Sequence, residues 1–207
     1  DVIRLCIFDL DGTLINSLKD LADCCNTVLA DEGLPIHPLD AYRHFVGNGI
    51  PKLIERILPE GERTEEKMAR IRERFDERYQ VHCLDATKPY PWVVHLLDEC
   101  RDKGILLAVL SNKADPFAKF ICREIFGAKA FDAVSGQKAE VPKKPAPDGV
   151  FSLLKEFNTL PEESVLIGDS NVDILTAKNA GLHSIGACWG FRGREELKRA
   201  GAEMLAD

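Results

Sequence analysis

Three times along this 207-residue chain an apolar, β-favouring run stops abruptly at a short polar cluster, and that recurrence constrains the fold more than any other feature. Residues 2–8 (VIRLCIF) run into Asp9-Leu10-Asp11-Gly12-Thr13, residues 105–110 (ILLAVL) into Ser111-Asn112-Lys113, and residues 164–167 (SVLI) into Gly168-Asp169-Ser170. A strand that is apolar at nearly every position has both faces buried, the signature of a parallel sheet covered on two sides. Shorter apolar stretches at Ala133-Val134 and residues 184–188 read as further strands. Helical patterns fill the intervals, over residues 92–103, 116–126, 148–157 and 172–180, with Gly104, Gly127 and Gly181 at the expected C-caps. Strands alternating with helices predict an α/β, Rossmann-like parallel sheet with right-handed crossovers and helices on both faces.

Residues 15–84 break this alternation. They carry long amphipathic helical patterns over 18–32 and 65–79, punctuated by Pro35, Pro38, Pro51 and Pro59, and Lys88-Pro89-Tyr90-Pro91 marks the return to α/β sequence. The expected organisation is therefore a catalytic core of residues 1–14 and 85–207 with an all-helical cap, 15–84, inserted after the first strand over the sheet's carboxyl edge.

Open α/β sheets place ligands in the crevice at the carboxyl ends of their strands, so the three polar clusters are expected to converge. Asp9 and Asp11 at i and i+2 are costly to hold beside a core unless a cation balances them. A hard cation such as Mg²⁺ does so with oxygen ligands. Gly12 permits a tight turn that lets backbone N–H groups face an anion. Ser111 and Asn112 supply donors for phosphoryl oxygens, and Thr13 joins them as a phosphate-binding candidate. Asp169 is placed to complete the metal site, with Asp173 holding partners around it. Lys144, ahead of the stiff Pro145-Ala146-Pro147 turn, is a fixed counter-charge for phosphate. Each cluster alone has a bland reading: turn residues, helix N-terminal carboxylates, a surface lysine. The four together, in this order, do not.

In that order they resemble the haloacid dehalogenase-like hydrolase superfamily: D-L-D-G-T (residues 9–13), Ser111, Lys144 and G-D-S-N-V-D (residues 168–173), with a helical cap after the first motif. The resemblance implies Asp9 as nucleophile, Asp11 as general acid/base, Ser111 and Lys144 as phosphate holders, and Mg²⁺ bound by Asp9, the Asp11 carbonyl and Asp169. The assignment is physically coherent, because a carboxylate attacks an anionic phosphate only when positive charge screens the repulsion. Asp11 separates phosphoryl transfer from the dehalogenases, which lack the second aspartate because halide needs no proton. Within the superfamily Val46-Gly47-Asn48-Gly49, Trp189-Gly190-Phe191-Arg192-Gly193, Glu195-Glu196-Leu197 and Ala200-Gly201-Ala202 are similar to the phosphoglycolate phosphatase group, and are shared with pyrophosphatases and other phosphatases of related cap type. Gly47 and Gly49 also fit a plain interhelical turn; with Asn48, Arg43, His44 and Lys52 they are the candidates for substrate selection.

The expected activity is a Mg²⁺-dependent phosphatase acting on a small phosphorylated metabolite through an aspartyl-phosphate. A β-phosphoglucomutase-like mutase would share the fold and metal. A signalling receiver module also clusters aspartates, a hydroxyl and a lysine, but phosphorylates after a middle strand and has no cap. Composition narrows the field further. With 27 Lys and Arg against 34 Asp and Glu the formal charge is -7, which argues against nucleic-acid binding. No apolar run approaches the roughly 20 residues that cross a bilayer, and no signal-peptide pattern opens the chain. The sequence starts at Asp1 without Met, as a trimmed chain would. The seven cysteines form no C-x-x-C pair, so free thiols in a reducing cytoplasm are expected, in a monomer or homodimer.

Overall fold

The structure, a computed structural model, describes residues 2–207. It contains two compact units: Pro89–Asp207 with the N-terminal residues up to Asn16, and Ser17–Lys88. The first is built on β1 (Leu5–Phe8). The chain leaves it through the two-residue strand β2 (Ile15–Asn16) and re-enters at β3 (Lys88–Pro89). It then adds β4 (Leu106–Ala114), β5 (Ala133–Gln137), β6 (Ser164–Gly168), β7 (His183–Ala187) and β8 (Met204–Ala206). β1 and β4 to β8 form a six-stranded sheet in the order β5-β4-β1-β6-β7-β8, with every neighbouring pair parallel, and β2 pairs with β3. Strand order reverses about β1, which puts the switch-point crevice at the end of that strand.

The helices of this unit are α5 (Val93–Asp102), α6 (Asp115–Phe126), α7 (Asp148–Glu156), α8 (Asn171–Ala180) and α9 (Arg194–Ala200). Leu5, Ile7, Ala108, Leu110 and Leu166 share one sheet face and pack with Val150, Leu153 and Leu154 of α7 and Ala177 and Ala180 of α8. The alternate residues Cys6, Phe8, Leu107, Val109, Val165 and Ile167 are buried as well. Both faces are therefore covered, which is why the strand sequences do not alternate.

Two features differ from the sequence expectation. β4 continues through Ser111, Asn112 and Lys113 to Ala114, with an irregular register between Leu110 and Ala114, where the sequence predicts a loop. Polar residues remain in the strand because their side chains find partners inside the protein, as described below. β8 and α9 carry too little apolar signal to read from sequence: β8 has three residues, and α9 buries only Leu197.

The second unit consists of α1 (Leu18–Asp31), α2 (Tyr42–Phe45), α3 (Ile50–Ile57) and α4 (Glu65–His82). α3 places Ile50, Leu53, Ile54 and Ile57 on one buried stripe, the spacing that helical periodicity requires. α4 starts at Thr64, whose side chain accepts the Lys67 N–H, and buries only Ile71, Phe75 and Tyr79 of its 18 residues. Asp20 is buried on α1 without being a site residue. Its carboxylate accepts the Ala86 and Thr87 N–H groups and the Thr87 hydroxyl, tying the last loop of the unit to its first helix.

Candidate active site

Register brings the polar clusters to one level. Phe8 lies opposite Val109 on β4 and Ile167 on β6, and the Asp9 N–H donates to the Ile167 carbonyl at 2.9 Å. Asp9, the 111–113 segment and Asp169 therefore emerge at the same edge of three adjacent strands. After Asp9 the chain turns sharply: the N–H groups of Thr13, Leu14 and Ile15 all donate to the Leu10 carbonyl, and Gly12 donates to Ile15. The backbone donors of Gly12 and Thr13 thus close the turn. Gly12 takes φ +84°, and a side chain there would overlap Asp169 Oδ2.

Carboxylate oxygens of Asp9, Asp169 and Asp173 lie within 4.8 Å of one another. Lys144 Nζ reaches into this group and bonds Asp173 Oδ1 at 2.7 Å and Asp9 Oδ1 at 3.1 Å. Lys144 and Asp173 are sealed, with 3% and 1% of their side chains exposed, whereas Asp9 keeps 13% open. Burial and the neighbouring Asp173 charge push the Asp9 carboxyl well above the usual range, although Lys144 opposes the shift. Asp169 is raised to about 6 by burial and by Asp173. Burial works against the Lys144 ammonium, but Asp173 and Asp9 outweigh it and hold that group above its ordinary value. One lysine facing three carboxylates leaves the cluster net negative, and oxygen donors at this spacing fit a hard divalent cation. The residues present accordingly suit a metal.

Each sequence-predicted residue has a definite place. Thr13 is buried and donates its hydroxyl to Asp169 Oδ1 at 3.4 Å. Ser111 Oγ accepts the Lys113 N–H at 3.0 Å. Asn112 brackets the backbone of Lys144, donating Nδ2 to its carbonyl at 3.1 Å and accepting its N–H at 2.9 Å. Asp173 accepts from both the N–H and the hydroxyl of Ser170, capping α8, while its other oxygen takes Lys144. The Asp11 side chain stands apart from the three-carboxylate group and pairs with Lys113 Nζ at 2.8 Å. Sequence reasoning missed Lys113. The signal was present in the Ser111-Asn112-Lys113 triplet, but a lysine there reads as a solvated loop residue until the strand is seen to continue, leaving its side chain 2% exposed.

These motif residues sit within a match to a known family, Haloacid dehalogenase-like hydrolase, that spans residues 6–187. The chain belongs to the haloacid dehalogenase-like hydrolases. It is 34% identical over 210 residues to the phosphoglycolate phosphatase of Vibrio parahaemolyticus, covering 99% of this chain and 92% of that protein. Identity to the phosphoglycolate phosphatase of Aquifex aeolicus is 33% over 193 residues, 91% of this chain and 86% of the relative. A solved structure of a candidate phosphoglycolate phosphatase from Lactobacillus delbrueckii subsp. bulgaricus superposes with a TM-score of 0.94 at 29% identity, over 100% of this chain and 95% of that one. These similarities make this member of the family a phosphoric monoester hydrolase.

The helical candidates of this hydrolase gather about one turn within the second unit. Gly47 and Gly49 take φ +126° and +89° between α2 and α3, with Asn48 between them. Arg43 Nε bonds Asp40 at 3.3 Å and Lys52 Nζ bonds Glu55 at 2.7 Å, both at the surface, and His44 is exposed. Arg56, not anticipated from sequence, clips the turn: Nη1 donates to the His44 and Phe45 carbonyls and to Asn48 Oδ1. No helix of the described residues is long and apolar enough to cross a membrane.

Proposed function

We propose that the chain hydrolyses a small carboxylated phosphomonoester, 2-phosphoglycolate, through a covalent phosphoryl group on Asp9. The observation that carries this reading is a partly open aspartate at a strand end, paired with a sealed lysine and two further carboxylates. The substrate class follows the names of the relatives described above.

An Asp9 carboxylate oxygen attacks phosphorus, the P–O(Asp9) bond forms, and the ester P–O bond breaks. The departing oxygen takes a proton from Asp11. Water then attacks phosphorus and gives its proton to Asp11, releasing inorganic phosphate and the Asp9 carboxylate. Lys144 holds the attacking carboxylate by its Oδ1 and offers positive charge to the phosphoryl oxygens. Ser111 is assigned to the phosphoryl oxygens, and Asn112 holds the backbone of Lys144. Lys113 fixes Asp11 Oδ1, which sets the direction of its proton transfer. Asp9, Asp169 and the Asp11 carbonyl would hold Mg²⁺, with Asp173 near enough to contribute. When bound, Mg²⁺ supplies charge that neutralises the carboxylate–phosphate repulsion. Selectivity is assigned to the turn at Gly47, Asn48 and Gly49 and to the basic residues Arg43, His44 and Lys52 beside it.

The test is release of phosphate from a panel of phosphorylated metabolites, with and without Mg²⁺, by wild type and Asp9→Asn. Turnover of 2-phosphoglycolate that needs Mg²⁺ and disappears in Asp9→Asn supports the reading. Turnover of other esters alone rejects the substrate, and full activity in EDTA rejects the cation.

A further inference from the structure

The 189–196 segment touches both acidic loops through groups that the reaction does not use. We infer that this segment is a clasp that sets Asp169 for cation binding, with Trp189 and Glu196 as positioning residues. The inference rests on the cation reading above.

Each oxygen of Asp169 receives a donor from a different part of the chain. Oδ1 faces the Thr13 hydroxyl at 3.4 Å, and Oδ2 accepts the Phe191 N–H at 3.0 Å. Gly190 has no room for a side chain: a methyl there would overlap both Asp169 Cβ and the Gly12 carbonyl. The backbone at residue 190 is thus packed directly between the first acidic loop and the third. Trp189 fixes that approach, since its Nε1–H donates to the Thr13 carbonyl at 3.0 Å. Its indole is held in turn by Trp92 and Tyr90, edge to face at centroid distances of 5.3 and 6.4 Å. On the other side Arg192 Nη1 bonds Glu196 Oε1 at 3.0 Å, and Glu196 Oε2 accepts the N–H of Asn171, two residues beyond Asp169, at 3.0 Å. One short segment therefore ties the Asp9–Thr13 loop and the Asp169–Asn171 loop together.

Carboxylates delivered by two separate strands bind one ion well only if both are held in register. Partners that orient ligating carboxylates typically change metal affinity by about 10–100-fold when removed. Trp189→Phe keeps the aromatic packing and removes only the donor to Thr13. Glu196→Ala removes the link to Asn171 from the opposite end of the segment.

The experiment is calorimetric titration of Mn²⁺ into the full chain, wild type and both variants, with metal-free Tm measured in parallel. Expected is one Mn²⁺ site in wild type and a roughly tenfold or greater rise in Kd in either variant. The metal-free Tm should fall by no more than about 4 °C, the scale of one lost hydrogen bond. A Kd within twofold of wild type in both variants, whatever the Tm, overturns the clasp and leaves the cation reading standing. No Mn²⁺ binding by wild type overturns both. If one variant does not fold, the Kd of the other decides.

Discussion

Replacing Lys144 by Met tests how far the acidic cluster depends on its single lysine. The side chains are similar in length, so the change removes the ammonium and its bonds to Asp9 at 3.1 Å and Asp173 at 2.7 Å with little change in packing. Asp173, 1% exposed, is then left against Asp9 and Asp169 with no counter-charge in direct contact from Lys144. Breaking a buried pair by deleting one partner costs about 3–5 kcal/mol, because the remaining charge stays desolvated. At about 2–4 °C per kcal/mol for a chain of this size, metal-free Tm should drop by roughly 6–20 °C. Asp173→Asn placed on top of Lys144→Met removes the stranded charge and should return part of the loss, a coupling of about 1–3 kcal/mol. The assay is urea unfolding in EDTA of wild type, both single variants and the double variant. Additive losses in that cycle, or a Lys144→Met protein as stable as wild type, would refute the placement of Lys144 as the counter-ion of a buried carboxylate group.

Three further outcomes are expected. Gly12→Ala forces a side chain at φ +84° against Asp169 Oδ2, and a displacement near 1 Å at the site should lower kcat by about 100-fold together with a fall in Tm; unchanged kcat contradicts the packing. Lys113→Met removes the bond from Nζ to Asp11 Oδ1, so hydrolysis of an alkyl phosphate, which needs a proton on its leaving oxygen, should fall more than hydrolysis of p-nitrophenyl phosphate, and equal losses count against a positioning role for Lys113. The His183 imidazole, accepted by Glu203 at 2.9 Å, is held above its ordinary pKa by that bond, so its stabilising contribution is complete below the unfolded value near 6.5 and is lost as pH rises through the folded value. NMR titration of wild type and Glu203→Gln checks this: the midpoint should drop in the variant, and an unchanged midpoint is the contrary result.

Much of the architecture was legible because burial on both faces writes strands as continuous apolar runs. Leu5 to Phe8 and Ser164 to Gly168 are buried at every position, and the sequence carries no polar residue there beyond Ser164. The helices announced themselves through apolar spacing and terminal glycines, Gly181 among them in the left-handed conformation at the end of α8. What stayed hidden depends on partners remote in sequence. Lys113 finds Asp11 across 102 positions, and Trp189 finds Thr13 across 176. A lysine at the end of an apolar run looks like a loop residue unless its buried partner is known. Thr13 and Asn112 were readable as polar site residues, but their bonding was not: one serves Asp169 and the other the Lys144 backbone. Arg56 was hidden for a different reason: its partners are near in sequence, but two of them are backbone carbonyls, which carry no residue-type signal.

Direct trapping tests whether Asp9 carries the phosphoryl group. Asp11→Asn, which lacks the base for the second step, should accumulate phosphoryl-enzyme when mixed in Mg²⁺ buffer with p-nitrophenyl phosphate, whose leaving oxygen needs no proton from residue 11 in the first step. Borohydride reduction of the quenched protein converts an acyl phosphate to an alcohol, so peptide mass spectrometry should find homoserine at position 9 and unmodified aspartate at 11, 169 and 173. Homoserine at another of these positions, or none at all while wild-type enzyme turns the same ester over normally, would rule out Asp9 as the phosphoryl carrier.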